Sequence, residues 1–188
     1  LNNAGTGHAA NCELNYTPIN KDGSIDVKKA FEINAAFEKS LDFWSYLTEL
    51  GKLSPSSFLK VVPHISLVFG SDDVNFLRRR YQCLSVKEAF SSMEWTRDKS
   101  ELQSWMPLVM EGREIASEMA ATRIKRGTDI DFGSLSNAYL EFLQKSGSVE
   151  LKLSSEVLNL HDDLDKGWEL EIQCGDKTRI IKSKFIFF

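Results

Sequence analysis

Apolar residues recur at steps of three and four from Val27 onward: Val27, Ala30, Phe31, Phe37, Leu41, Trp44 and Leu47. That spacing lays one apolar stripe along a long amphipathic helix. Asp22-Gly23-Ser24 reads as the turn before it, with Ser24 as N-cap and Asp26 in the first turn, where a negative charge meets the positive end of the helix dipole. Gly51 ends the pattern. The aromatic members of the stripe read as core packing. Ser54-Pro55-Ser56-Ser57 then marks a boundary, because proline and serine interrupt a helix and favour a turn.

From Val61 to Phe69 the chain is rich in β-branched residues and is closed by Gly70, which predicts a buried strand. Asp72 is expected to cap a helix through Leu84 whose inner face carries Phe76, Leu77, Tyr81 and Leu84. Residues 91–110 are mixed, and Pro107 ends any helix there. Met119 to Ile124 suits a strand, followed by a bend at Lys125-Arg126-Gly127-Thr128. Ser134 is expected to cap another helix, with Leu135, Ala138, Tyr139, Phe142 and Leu143 inside and Gly147 as its stop. The rest alternates as strands do, at Val149–Leu153, at Trp168–Ile172 and in the increasingly apolar run from Thr178 to Phe188. Asp162 to Gly167 reads as a hairpin connection; it lacks the ligand spacing and closing glutamate of a calcium loop. The fold class is therefore α+β.

Composition narrows the function less than the fold. The 188 residues, 42% hydrophobic and 27% charged, are enough for a sizeable core and typical of a globular protein. A net charge of −4 leaves no basic footprint for nucleic acid and argues against strong attraction to anionic lipid. Cys12, Cys83 and Cys174 are widely separated, with no Cys-x-x-Cys pair, so neither a zinc site nor a disulfide framework is indicated. No apolar run approaches the roughly 18 residues of a membrane span, and no signal peptide is visible.

The densest chemistry lies at the start, in Asn2-Asn3-Ala4-Gly5-Thr6-Gly7-His8-Ala9-Ala10, running on to Glu13-Leu14-Asn15-Tyr16-Thr17-Pro18. Small residues let a backbone approach a ligand closely, and free N–H groups on a Gly-rich turn can hold anionic oxygens. By itself Gly-x-Gly is common and is better read as an ordinary Gly-rich turn than as a cofactor loop. The whole string, however, resembles the flavin-contacting segment of malate:quinone oxidoreductases, FAD enzymes that oxidise malate and pass the electrons to membrane quinone. Val62-Pro63-His64-Ile65-Ser66-Leu67-Val68, Asn75 to Tyr81, Pro107 to Arg113, Ala121-Thr122-Arg123 and Gly127 to Gly133 resemble further family segments and fall in the family's order.

That resemblance implies FAD as cofactor, with Asn3, Gly5, Thr6, Gly7 and His8 against it. It also implies (S)-malate as substrate, membrane quinone as acceptor, and a cytoplasmic protein peripheral at the inner face of the cytoplasmic membrane, with no nucleic-acid partner. The family begins with a strand, a Gly-rich dinucleotide fingerprint and a helix, a unit these residues do not contain. An internal fragment between two glycine-rich flavin loops is therefore expected. Its expected organisation is a mixed β-sheet substrate domain (residues 55–133) inserted into part of a flavin-binding α/β domain (residues 1–54 and 134–188). Two alternatives stay open: a related flavin-dependent 2-hydroxy-acid dehydrogenase or oxidase, and a folded module inactive as cut.

Oxidising a secondary alcohol with flavin requires a base for the hydroxyl proton and cations for the carboxylates. His8 and His64 are the candidate bases. His64, after Pro63 at the start of an apolar strand, is equally well read as a hydrogen-bonded structural histidine, and His161 as merely exposed. Arg123 is the candidate carboxylate clamp, since a planar guanidinium binds carboxylates bidentately. Its apolar neighbours demand a partner, whether substrate or a structural Asp or Glu. Lys125 shares its parity on the strand, and Thr128 in the bend could line the pocket or serve the turn, as could Asp129. Arg78 and Arg80 are weaker candidates, because charged helix residues usually form a solvated face, and nothing beyond its motif argues for Arg113.

Overall fold

The computed structural model describes residues 5–113, 118–163 and 167–187. It is a mixed α+β structure that divides into two compact units, the first ending at Tyr139 and the second beginning at Leu140. Each unit carries one small antiparallel sheet.

Helix α1 (Lys28–Glu49) is the long helix that the apolar spacing requires, but it starts later than Ser24. The Ser24 N–H and hydroxyl both donate to Asp22 Oδ1, which ties Ser24 into the preceding turn. Asp26 Oδ1 instead accepts from the Lys28 N–H. The helix ends in a Schellman motif: Gly51, at φ +67°, donates to the Thr48 carbonyl and Lys52 to that of Leu47. Its aromatic stripe is core. The Trp44 ring meets Phe58 edge-on at 5.5 Å and Phe37 at 6.3 Å, over Leu53, Ile130 and Leu135.

The first sheet has the order β1-β3-β2, from β1 (Leu59–Phe69), β2 (Glu94–Thr96) and β3 (Met119–Ile130). The expected bend at Lys125-Arg126-Gly127-Thr128 is not a bend. These residues continue β3, with Gly127 opposite Val62 and Thr128 opposite Val61. The register slips between Val62 and His64, so Lys125 and Arg126 together face Pro63 alone. Proline has no N–H to give to a ladder, and a two-against-one bulge accommodates it while the strand runs on.

Helix α2 (Ser71–Leu84) follows Gly70, which is its N-cap at φ +84°, while Asp72 lies in its first turn. Its buried stripe is Val74, Leu77, Arg80 and Leu84. Arg78 and Arg79 are exposed, whereas Arg80 is 0% exposed, contrary to the expected solvated face. The segment between the strands adds α3 (Lys99–Trp105), capped by Asp98 Oδ1, and the single turn α4 (Pro107–Met110). Pro107 thus closes one helix and opens another. Helix α5 (Phe132–Lys145) begins ahead of Ser134, whose N–H and hydroxyl both donate to the Asp131 carboxylate.

In the second unit, β4 (Ser155–Asp163), β5 (Gly167–Cys174) and β6 (Lys177–Ser183) form a meander. Val149–Leu153, expected as a strand, has no strand partner among the described residues and is not one; pairing starts at Ser155 opposite Cys174. His161 is exposed on β4 rather than in a turn. The Asp162–Gly167 connection joins β4 to β5, with residues 164–166 outside the described residues. The last strand stops at Ser183, short of the apolar run's end. Among the described residues no helix is long and apolar enough to cross a membrane.

Candidate functional site

From Gly5 onward, the described part of the opening segment is bound into the first unit by hydrogen bonds to β1, β3, α1 and α2. β2 pairs only with the stretch of β3 from Ala121 to Arg123, and beyond it that edge of β3 is open. Residues 5–7 fill the opening. Gly7 N–H donates to the Thr128 carbonyl at 2.8 Å, the Ile130 N–H donates to the Gly5 carbonyl, and Thr6 bridges to Asp129. Gly7 is required by contact: a Cβ there would lie 2.0 Å from Thr128 Oγ1 and 2.7 Å from Phe37 Cζ. Of the residues expected to touch flavin, Gly5, Thr6 and Gly7 therefore lie together on β3, His8 follows directly after them, and Asn3 lies outside the described residues.

Beyond Gly7 the chain leaves the sheet and enters the core, where side chains hold its carbonyls in succession. Asn34 Nδ2 on α1 donates to Ala9 O at 3.1 Å. Arg80 Nη2 on α2 donates to Ala10 O at 3.0 Å and to Asn11 O at 3.3 Å, and Ser66 Oγ on β1 donates to Cys12 O at 2.8 Å. Arg80 Nε donates to Thr17 Oγ1 at 3.0 Å, reaching the far end of the same segment. Ala10 adopts φ +58° while fully buried, a left-handed backbone that a non-glycine residue holds only when its surroundings dictate it.

Burial shifts two groups here. The Arg80 guanidinium is pushed down to about 10 by burial, with Cys12 and Glu13 opposing the shift, so it remains a cation at neutral pH. The Cys12 thiol is pushed up to about 11, by burial first and by Glu13 second, which leaves it a thiol and a poor nucleophile.

The two candidate bases differ sharply. His64 is 7% exposed, and its Nε2 lies 3.0 Å from the Thr128 carbonyl, so that nitrogen carries the proton and donates. Its Nδ1 is left to accept from Asn11 Nδ2 at 3.5 Å. The ring also packs on Gly127, where a Cβ would stand 2.3 Å from His64 Cδ2 and 2.6 Å from the Val62 carbonyl. His8 is turned outward, with its side chain 49% exposed, between buried Gly7 and Ala9. Its Nδ1 meets Glu13 Oε1 at 3.2 Å, which leaves Nε2 open.

Arg123 and Lys125 meet at a carboxylate that sequence reading did not identify. Arg123 Nε donates to Glu94 Oε2 at 2.7 Å, and Lys125 Nζ to Glu94 Oε1 at 2.9 Å. The two hydrogen bonds, that from Arg123 foremost, hold the Glu94 carboxyl below the usual carboxylate range. The Arg123 guanidinium stacks on Trp105 at 4.0 Å. Thr128 belongs instead to the opening segment: its Oγ1 is buried without a hydrogen-bond partner, at the wall of a cavity of about 180 Å³ lined also by Ala9, Asn11, Asn34, Ile124 and Arg126.

The residues that hold the opening segment and Arg123 and that sequence reading did not single out are Glu94, Trp105, Asn11 and Asn34, while Arg80, a weaker candidate expected on a solvated face, is buried at the centre of that hold. A signal existed only for Arg80, three residues after Leu77 and four before Leu84, on the apolar stripe itself. Glu94 and Trp105 have no signature, since what they touch lies far along the chain.

The description malate:quinone oxidoreductase belongs to the family model that matches residues 1–188. The chain is 53% identical to a probable malate:quinone oxidoreductase of Prochlorococcus marinus strain NATL2A, with 99% of this chain covering 38% of that protein. It is 55% identical to the one of strain MIT 9303 and 54% identical to that of Synechococcus sp. strain RCC307, again over 99% of this chain and 38% of each relative. It therefore spans well under half the length of these curated relatives. Among solved structures, L-proline dehydrogenase from P. horikoshii shares the fold at 17% identity and a TM-score of 0.54, over 94% of this chain and 41% of that one. Matched along its whole length and at about half of its positions, the chain belongs to the malate:quinone oxidoreductase family.

Proposed function

We propose that the chain forms part of an FAD-dependent enzyme that oxidises (S)-malate to oxaloacetate and passes the electrons to membrane quinone. Residues 1–54 and 134–188 would belong to its flavin-binding side and residues 55–133 to its substrate domain. The enzyme would act at the inner face of the cytoplasmic membrane. The observation that carries the reading is His8, displayed outward from a backbone fixed by buried bonds, in a chain matched from end to end by the family.

The residues present fit one flank of a flavin. Gly5, Thr6 and Gly7 form a flat edge of small residues pinned to β3, with Asn3 preceding them in the motif, and Gly7 tolerates no side chain that would lift this edge away. Bound flavin would supply the acceptor for the hydride leaving the carbinol carbon. His8 would take the hydroxyl proton at Nε2, because Glu13 engages Nδ1 and thereby orients the ring and selects the tautomer. His64, with both nitrogens committed to buried partners, is better suited to holding Asn11 and Thr128 in place.

Arg123 would bind a malate carboxylate. Glu94 occupies only its Nε, so both Nη groups remain as a fork, braced from behind by Trp105. Lys125 adds a second positive charge beside the same carboxylate seat, whereas Thr128, its hydroxyl buried against Gly7, is better suited to seating the opening segment. The test is a reduction assay on the full-length protein: bleaching of the flavin absorbance by malate and reoxidation by a soluble quinone analogue support the reading. Reoxidation by oxygen alone, or bleaching by a monocarboxylate in preference to malate, would assign a different 2-hydroxy-acid oxidation.

A further inference from the structure

We propose that Arg80 is a positioning residue: its guanidinium sets the path of the opening segment and so the placement of His8 against the flavin. The placement against flavin rests on the function proposed above; the hold on the segment does not.

Arg80 differs from its neighbours Arg78 and Arg79, which are exposed. It is fully buried on the apolar stripe of α2, and among the described residues its hydrogen-bond partners are neutral oxygens rather than a carboxylate. A buried cation without a bonded counter-ion is costly, so its retention calls for something that only this side chain supplies. Here the planar fork binds the carbonyls of Ala10 and Asn11 with its two Nη groups and Thr17 with Nε. It thereby spans the length from Ala10 to Thr17 with one rigid group. A lysine has the charge but not the fork.

The bonds also fall where the backbone needs them. Ala10 sits at φ +58°, and the carbonyls on either side of that residue are tied down by Asn34, Arg80 and Ser66 from three separate elements. Without Arg80 the two central carbonyls would be buried and unsatisfied, and the left-handed turn would have no reason to persist. His8 lies two residues ahead of it, so a relaxed Ala10 would move His8 away from where Glu13 orients it.

The test compares Arg80→Ala, Arg80→Lys and, as a control for stability alone, Leu77→Ala, one turn earlier on the same buried face, in the full-length flavoprotein. Peptide-level hydrogen exchange over residues 9–17 is expected to speed up by about 10- to 100-fold in Arg80→Ala, the worth of one charged hydrogen bond, and to stay near wild type in Leu77→Ala. Millimolar guanidinium should restore protection to Arg80→Ala. The flavin's visible spectrum should change in both Arg80 variants and return with guanidinium in Arg80→Ala. Exchange that is unaltered in the Arg80 variants, or that rises equally in Leu77→Ala, overturns the positioning role. Should Arg80→Ala fail to fold, Arg80→Lys decides: wild-type exchange there refutes the need for the fork. If the segment loosens and guanidinium tightens it while the flavin spectrum never moves, Arg80 holds the segment but the flavin contact is wrong.

Discussion

Glu94 and Arg123 face each other directly across β2 and β3 and are joined through Nε at 2.7 Å, and among the described residues neither Nη group has a hydrogen-bond partner. With Trp105 at 4.0 Å beneath it, the side chain has one orientation and an unspent fork. That arrangement separates holding an arginine from using it.

Arg123→Lys in the full-length enzyme is accordingly expected to cost more than its retained charge suggests. Losing one charge-assisted hydrogen bond removes roughly 1.5–3 kcal/mol, a fall of about 10- to 100-fold in kcat/KM for malate. Steady-state kinetics with a quinone analogue read this directly. A change within about threefold, roughly 0.65 kcal/mol, would remove Arg123 from the substrate site.

For the proton acceptor, His8→Gln should lower kcat by about 10²–10⁴ and abolish the acid limb of the rate profile, since an imidazole base works only when neutral. Glu13→Gln should retain that limb with a smaller loss, because the ring keeps its base but loses its orienting partner. Assays across pH 5–9 with flavin content measured in parallel distinguish these outcomes. An acid limb that survives in His8→Gln and vanishes in His64→Gln would transfer the base to His64.

The Glu94 cluster also makes a statement about stability and pH. The folded-state pKa of Glu94 is depressed, chiefly by the Arg123 hydrogen bond, so its stabilising contribution is present above the unfolded-state pKa and is lost as pH falls through the folded one. Glu94→Gln should therefore lower the melting temperature of the chain at neutral pH, and the gap from wild type should close in acid. A gap that is constant from neutral pH to about pH 3, below the unperturbed Glu value of about 4.3, would show that the ionised carboxylate is not the source.

Two glycines should rank in a definite order. Gly7→Ala places a Cβ against the ends of side chains, Thr128 Oγ1 and Phe37 Cζ, and is expected to cost about 1–3 kcal/mol as overpacking. Gly127→Ala also strikes the Val62 carbonyl at 2.6 Å, which belongs to a paired strand and cannot swing away, so its loss should be the larger. Urea unfolding of both variants gives the ranking, and the reverse order would mean that the bulge opposite Pro63 yields more easily than the core around Phe37.

The 188-residue chain by itself is expected to keep no stoichiometric FAD through gel filtration, because no dinucleotide fingerprint lies within these residues to seat a pyrophosphate on a helix N-terminus. Absorbance of the eluted peak near the flavin bands checks it, and a yellow protein at one flavin per chain would contradict it.

What could be read from the residues alone was what is local or strongly periodic. The stripe of α1, the β-branched run of β1 and the helices α2 and α5 each declare their element because burial on one side forces a period of 3.6 or 2. The inner faces were read only in part: Leu77, Leu84 and Leu135 are buried, Phe76 and Tyr81 only half-buried, and Leu143 is exposed. The family was equally legible, since it rests on the order of short motifs. The chemistry of the site was only half legible: Arg123 and Lys125 share a strand parity, but their carboxylate partner sits about thirty positions away, and no periodicity announces a contact made in space. Tertiary pairing also decided that Lys125–Thr128 continues β3, because Pro63 across the ladder absorbs the irregularity, and that Val149–Leu153 is no strand, because alternation without a partner leaves backbone groups to water. Most of all it decided Arg80. Local rules send a charged helix residue to solvent, and only a core already holding a turned segment with unsatisfied carbonyls gives an arginine reason to be buried.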